Sequence, residues 1–255
     1  MRALRIADAG ERCAAVESLA CFDGALDTEV VLAEPPGVPG RPLRPLLVPP
    51  GSVASRAVGT AEGRVALLHA LAHIEFNAIG LALDHLWRFA GLPEAYYRDW
   101  LRVAVEESHH FALLRARLQD AGRDYGDLPA HDGLWEMARR TADDPLSRMA
   151  LVPRTLEARG LDASPSVRAK FIAIGDAESA RVIDVILRDE IGHVAVGNRW
   201  FRFLCRRRGV DPLAAYREVA RRCRAPRLRG PLNVAARLQA GFTAEEIDLL
   251  QDSAG

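Results

Sequence analysis

The chain has 255 residues, of which 49% are apolar and 27% charged. That is ordinary globular composition, enough for one well-buried domain with extra segments or for two small ones. Lys and Arg number 34 and Asp and Glu number 34, so the formal net charge is zero. Overall charge gives no reason to expect nucleic acid or an acidic membrane as partner. The cysteines Cys13, Cys21, Cys205 and Cys223 form no CxxC pair. Their number and spacing exclude a zinc ribbon and a disulfide scaffold, and they read as reduced thiols. Residues 1–8 lack a continuous apolar stretch. The apolar segment 65–83 is interrupted by His69, His73, Glu75 and Asn77. No membrane span is expected, and the chain reads as soluble and cytoplasmic.

In chain order, residues 8–22 suit a short helix. Residues 33–51 hold seven prolines and three glycines, Pro35 through Gly51. This predicts an extended arm without regular hydrogen bonding, with Leu43, Leu46, Leu47 and Val48 packed along a surface. From about residue 58 the apolar periodicity is helical. Long helices are expected over 60–90, closed by Gly91 and Pro93, and over 94–121, closed by Gly122. A shorter helix is expected over 132–141. The next covers 144–159, is kinked at Pro153 and ends at Gly160. Ser164-Pro165 opens another, to 174, as an N-cap and first-turn proline. The last long helix spans 177–208 and stops at Gly209. Smaller helices follow near 212–223 and 232–240, and Thr243-Ala244-Glu245-Glu246 reads as a capping box for one more. Strand signals are nearly absent, so the class is all-α. The expected organisation is a helix and Pro-rich arm over 1–57, a four-helix bundle over 58–209 and a helical extension over 210–255. The bundle helices are those near 60–90, 94–121, 144–159 and 177–208.

Two of these helices repeat one motif. Glu106-Glu107-Ser108-His109-His110 and Asp189-Glu190-Ile191-Gly192-His193 both contain Glu-x-x-His. That spacing puts a carboxylate and an imidazole on one helix face, a turn apart, as two ligands of one metal centre must be. In the first segment Glu107 and His110 share a stripe with Trp100, Val103, Ala104, Phe111, Leu114 and Leu118. Glu106 and His109 share a polar one with Asp99, Arg102 and Arg117. Glu107 and His110 are therefore the inward pair. Glu190 and His193 lie with Ile183, Ile186, Leu187, Val194 and Phe201.

Two further glutamates, Glu75 and Glu157, sit on apolar helical stretches about 32 positions ahead of Glu107 and Glu190. A buried ionised carboxylate costs several kcal/mol unless compensated. Each half of the chain thus supplies one Glu and then one Glu-x-x-His, which is the ligand set of ferritin-like dinuclear sites. Two divalent ions balance four carboxylates, and oxygen ligands mixed with imidazole suit iron, with manganese as the alternative. Glu106 and Asp189, each directly before a ligand glutamate, are placed to accept a hydrogen bond from the second nitrogen of a histidine on a facing helix. His69, His73, His85, His109 and His131 read as packing or surface residues, and Trp100 as core.

These residues also carry a resemblance. His73-Ile74-Glu75, Glu106 to Phe111, Met149 to Asp162 and Arg188 to Val194 resemble a bacterial domain-of-unknown-function family in the ferritin-like superfamily, close to the MiaE-type tRNA hydroxylases. The arm from Pro39 to Pro50 looks like that family's N-terminal segment. The resemblance covers most of the chain. It implies the ferritin-like fold and a two-metal centre at Glu75, Glu107, His110, Glu157, Glu190 and His193, and it supplies no substrate. In one departure, Glu106 stands where related proteins often carry Asp.

The function expected is a diiron oxidase or hydroxylase taking dioxygen and an organic substrate. The alternatives are a metal-storage protein and a tRNA-modifying hydroxylase. The third draws on residues 199–229, which hold eleven arginines against Asp211 and Glu218, a pattern able to contact phosphates. A homodimer of bundles fits the same reading.

Overall fold

A computed structural model describes residues 1–53, 56–227 and 230–252. Among these there is no strand, only an isolated bridge between Leu47 and Ala130, so the class is all-α. The helices are α1 (Arg2–Arg5), α2 (Ala9–Glu17), α3 (Ala61–Arg88), α4 (Glu94–Asp120), α5 (Gly133–Arg140), α6 (Pro145–Leu151), α7 (Ala158–Ala173), α8 (Ala177–Arg208), α9 (Pro212–Arg222), α10 (Val234–Gln239) and α11 (Ala244–Asp252). The chain divides into two compact units, Met1–Trp135 and Glu136–Gly255.

The first unit is built on the α3–α4 hairpin. Thr60 caps α3 by accepting from the Gly63 N–H, and Tyr97 holds the turn between the helices by donating to the Phe89 carbonyl at 2.7 Å. The register is antiparallel. His85 near the end of α3 stacks on Trp100 with ring centroids 3.9 Å apart. Two turns earlier, Phe76 meets Phe111 at 5.5 Å. Helix α3 contains an 18-residue window with mean hydropathy 1.5, long and apolar enough to cross a bilayer. The sequence alone argued against a span because of the interrupting polar residues. In the structure 61% of the window is buried against protein.

The Pro-rich arm is pinned by its backbone rather than by its leucines, contrary to the expectation. Gly40 donates to the Leu4 carbonyl at 2.8 Å, and residues 46 and 48 exchange two backbone hydrogen bonds with Ala130. Gly40 lies so close to Arg5 that a Cβ there would sit 2.2 Å from the Arg5 carbonyl oxygen. Leu43, by contrast, is 96% exposed and Leu46 68%.

In the second unit two expectations fail. The segment 144–174 is one nearly continuous helical run, with no break at Gly160 or Ser164. At Pro153 it widens into a π-helical turn over Val152–Glu157. The proline has no N–H for the preceding turn, and a wider turn accommodates its ring. The Thr155 hydroxyl donates to the carbonyl five residues back, Ala150, at 2.8 Å. Helix α7 then passes through Pro165. Pro165 leaves the Leu161 carbonyl without its helical donor, and the Asn233 side chain supplies one at 3.1 Å. A remote asparagine thus relieves the cost that makes interior proline a stop signal.

Helix α8 is capped by Asp176, which accepts from Ser179 N–H. It closes at Gly209 in the left-handed region, φ 65°, where a side chain would be strained. Helices α10 and α11 return to α7 and α8. Ala236, Ala240, Phe242, Ile247 and Leu250 join Ala158, Leu161 and Val194 in one apolar cluster.

Candidate metal centre

In the first unit, α3 carries Glu75 and α4 carries Glu107 and His110. The antiparallel register brings them level. His110 Nδ1 lies 3.3 Å from Glu75 Oε2 and 3.5 Å from Glu107 Oε2. Glu107 and His110 are fully buried and Glu75 is 4% exposed. Burial also separates the two Glu-x-x-His pairs of α4, since His109 is exposed and Glu106 half-buried.

The electrostatics follow from this packing. Burial, and then repulsion from Glu107, holds the Glu75 carboxyl well above the usual carboxylate range. Burial pulls the His110 imidazole down, but Glu107 and Glu75 outweigh it and push it up to about 11. The cluster therefore favours a positive charge at its centre. A divalent ion meets the same demand, and its binding would displace those protons.

In the second unit, Glu190 and His193 occupy one face of α8, both buried, with His193 Nδ1 3.5 Å from Glu190 Oε1. Glu157 closes the π turn and is half-buried. The Pro153 ring packs against Gly197, Arg154 donates to Asn198 at 2.5 Å, and Arg168 donates to Asp184 at 2.6 Å. The antiparallel register set by these contacts brings Glu157 level with His193. Asp189 accepts two hydrogen bonds from Arg188, at 2.8 and 3.0 Å. Glu107, His110, Glu190 and His193 are thus buried residues of types that could hold a metal ion. Carboxylate and imidazole donors fit a hard or borderline divalent cation.

Three of the other histidines, His69, His73 and His85, have structural partners. His69 Nε2 accepts from the Gly126 N–H at 2.9 Å. His73 reaches the Tyr125 hydroxyl at 2.9 Å and the His131 carbonyl at 3.0 Å. His85 reaches the Tyr96 hydroxyl at 2.9 Å. Trp100 is 1% exposed. Of the arginine-rich segment, Arg202 is committed to Gly241 and Glu246, Arg208 to Asp144 and Arg222 to Ser147. Arg229 lies outside the described residues.

Four buried arginines, Arg12, Arg148, Arg154 and Arg237, were not foreseen from the sequence. Arg154 is 3% exposed and pairs with Glu246 at 2.6 Å. Arg12 is 2% exposed. No local signal marks Arg154, because its partner Glu246 lies 92 positions away.

A family described as "Protein of unknown function (DUF455)" matches residues 6–248. A protein of Haemophilus influenzae, described as an uncharacterized protein, is 45% identical over 265 residues, covering 98% of this chain and 91% of its own length. No solved structure matches the chain. With nearly its whole length matched and a relative at that identity, the chain belongs to the DUF455 family.

Proposed function

We propose that Glu75, Glu107, His110, Glu157, Glu190 and His193 share one carboxylate-bridged dinuclear metal centre, and that the protein is an oxygen-dependent oxidase or hydroxylase of an organic substrate. In this reading α3, α4, the α6–α7 run and α8 are the four helices of a ferritin-like bundle. The observation that carries it is the buried triad of Glu75, Glu107 and His110. Two carboxylates and an imidazole are held together where a cation is needed. The second unit offers the same chemistry in Glu157, Glu190 and His193.

Iron suits the donor set, and manganese would be held by the same residues. Bound iron would supply a redox-active Lewis-acid pair able to react with dioxygen. The chain itself supplies position and dryness. Val103, Ala104, Phe111 and Leu114 are buried beside the α4 ligands and exclude water from them. Glu106 and Asp189 orient the ligand histidines by accepting from their second ring nitrogens.

Metal content per chain on protein purified without chelator tests the reading, followed by optical spectra after anaerobic iron loading and exposure to oxygen. The expected result is two metals per chain and an oxygen-dependent absorption band. Glu107→Ala should lose at least one metal, and a variant that keeps both would remove Glu107 from the ligand set. A closed shell with many irons per chain would replace the oxidase by a storage protein.

A further inference from the structure

A second site lies within the first unit, on the other side of α3. A cleft of about 60 Å³ opens between the Pro-rich arm and α3, lined by Arg12, Arg41, Asn77, Gly80, Tyr125 and Trp135 among others. On a helix turning about 100° per residue, positions 73, 76, 77 and 80 fall well away from the direction of Glu75. The cleft is thus separate from the metal ligands, and its chemistry does not depend on the proposed centre.

Its central feature is Arg12. The side chain is 2% exposed. Its Nε and Nη2 donate to the Ile6 carbonyl at 3.0 and 2.6 Å, and Nη2 also donates to the Gly40 carbonyl. The guanidinium lies over the Phe76 ring, 4.3 Å from its centroid. Among the described residues no carboxylate pairs with it, and its Nη1 makes no hydrogen bond. A buried cation without a counter-ion is costly. The neighbouring charge has the same sign: Arg41, with its side chain one-third exposed, lines the same cleft and reaches Asp132 at 2.6 Å. The remaining polar side chains that line it, His73, Tyr125 and Asn77, are neutral: burial holds the His73 imidazole below its ordinary value. Tyr125 keeps its phenol proton because burial raises its pKa, and Asn77 is an amide.

Space and shape point the same way. Gly80 leaves room directly in front of the free guanidinium nitrogen. A Cβ there would lie 3.6 Å from Arg12 Nη1 and 3.7 Å from the Trp135 ring. The walls are aromatic, from Phe76, Tyr125 and Trp135. The floor is a fixed hydrogen-bond donor, and the mouth holds a second guanidinium. We propose that this cleft binds a compact oxyanion, a carboxylate or phosphate group, with Arg12 Nη1 and Arg41 as its donors. Guanidinium groups are well matched to both anions. The Pro-rich arm gains a role as one wall of the site, which its backbone hydrogen bonds to Leu4 and Ala130 hold in place.

The experiment is isothermal titration of the full chain with sodium benzoate and with inorganic phosphate, each against chloride at equal ionic strength. One saturable site per chain is expected for at least one of the two anions. Binding of benzoate alone identifies a carboxylate site, and of phosphate alone a phosphate site. Gly80→Ala adds a methyl at ordinary contact distance and improves helix propensity. It should keep its fold and metal content but bind at least tenfold more weakly. Arg41→Gln should weaken binding similarly. Saturation by neither anion, or unchanged affinity in both variants, would overturn the proposal. Because Arg12 also ties the arm to α2, these two variants carry the test in place of an Arg12 substitution that could unfold.

Discussion

Two buried histidines of the first unit show how neighbours decide a charge. His110 sits between two carboxylates and is driven towards the cation. His69 is held below its ordinary value, because burial outweighs the pull of Asp127. Geometry agrees: its Nε2 accepts from the Gly126 N–H, which only a neutral ring can do. The native state therefore binds this proton less readily than the unfolded chain. The His69 contribution to stability is complete above the unfolded pKa of about 6.5. It is lost as pH falls through that value towards the lower folded one. A His69→Gln variant keeps a side-chain acceptor and has no proton to gain. It should cost about 1 kcal/mol at pH 7, with a smaller deficit at pH 5. Urea midpoints at the two pH values measure this, and a constant gap would show that His69 does not titrate with unfolding.

At the scale of the element, the run from α6 to α7 is the most informative. Its π turn adds a residue to one turn and so rotates everything after Pro153 relative to α6. The face of Glu157 therefore could not be read from regular helical periodicity. Gly197 on α8 is the counterpart of this turn. A Cβ there would meet Pro153 Cβ at 2.5 Å and Cγ at 2.7 Å. Gly197→Ala is expected to destabilise by about 1–3 kcal/mol through overpacking. Adding Pro153→Ala should recover part of that loss. Chemical denaturation of both single variants and the double variant gives the coupling. Additive effects would mean that the two residues do not press on each other.

At the scale of the whole molecule, contacts distant in sequence complete what local signals begin. Helices α10 and α11 and the turn between them supply five side chains to the apolar cluster over α7 and α8. They also bring Glu246 to Arg154, whose guanidinium is enclosed by the Phe201 ring at 4.2 Å and the Phe242 ring at 5.1 Å. Removing one partner of such a pair leaves a buried charge. Glu246→Ala is expected to cost about 3–5 kcal/mol, read as a lowered Tm and urea midpoint. Glu246→Gln, which keeps an acceptor for Arg154, should lose less. Equal loss in both would point to charge alone.

The sequence by itself determined the helical class, most helix ends and the inward face of each Glu-x-x-His. These depend on periodicity, capping residues and terminal glycines, all legible within a few positions. It also paired Glu107 with His110 rather than Glu106 with His109, because the apolar stripe runs on one side of α4. Tertiary structure alone decided the rest. Pro165 stayed inside a helix because Asn233, 68 positions on, takes the role of donor to Leu161. The arm's leucines faced outward because backbone hydrogen bonds had already fixed its path. Arg154 was buried against Glu246, 92 positions away, and Arg12 is tied to Gly40, 28 positions away. Each of these depends on groups far apart in the chain satisfying one another's polar atoms, and that matching exists only once the chain has folded.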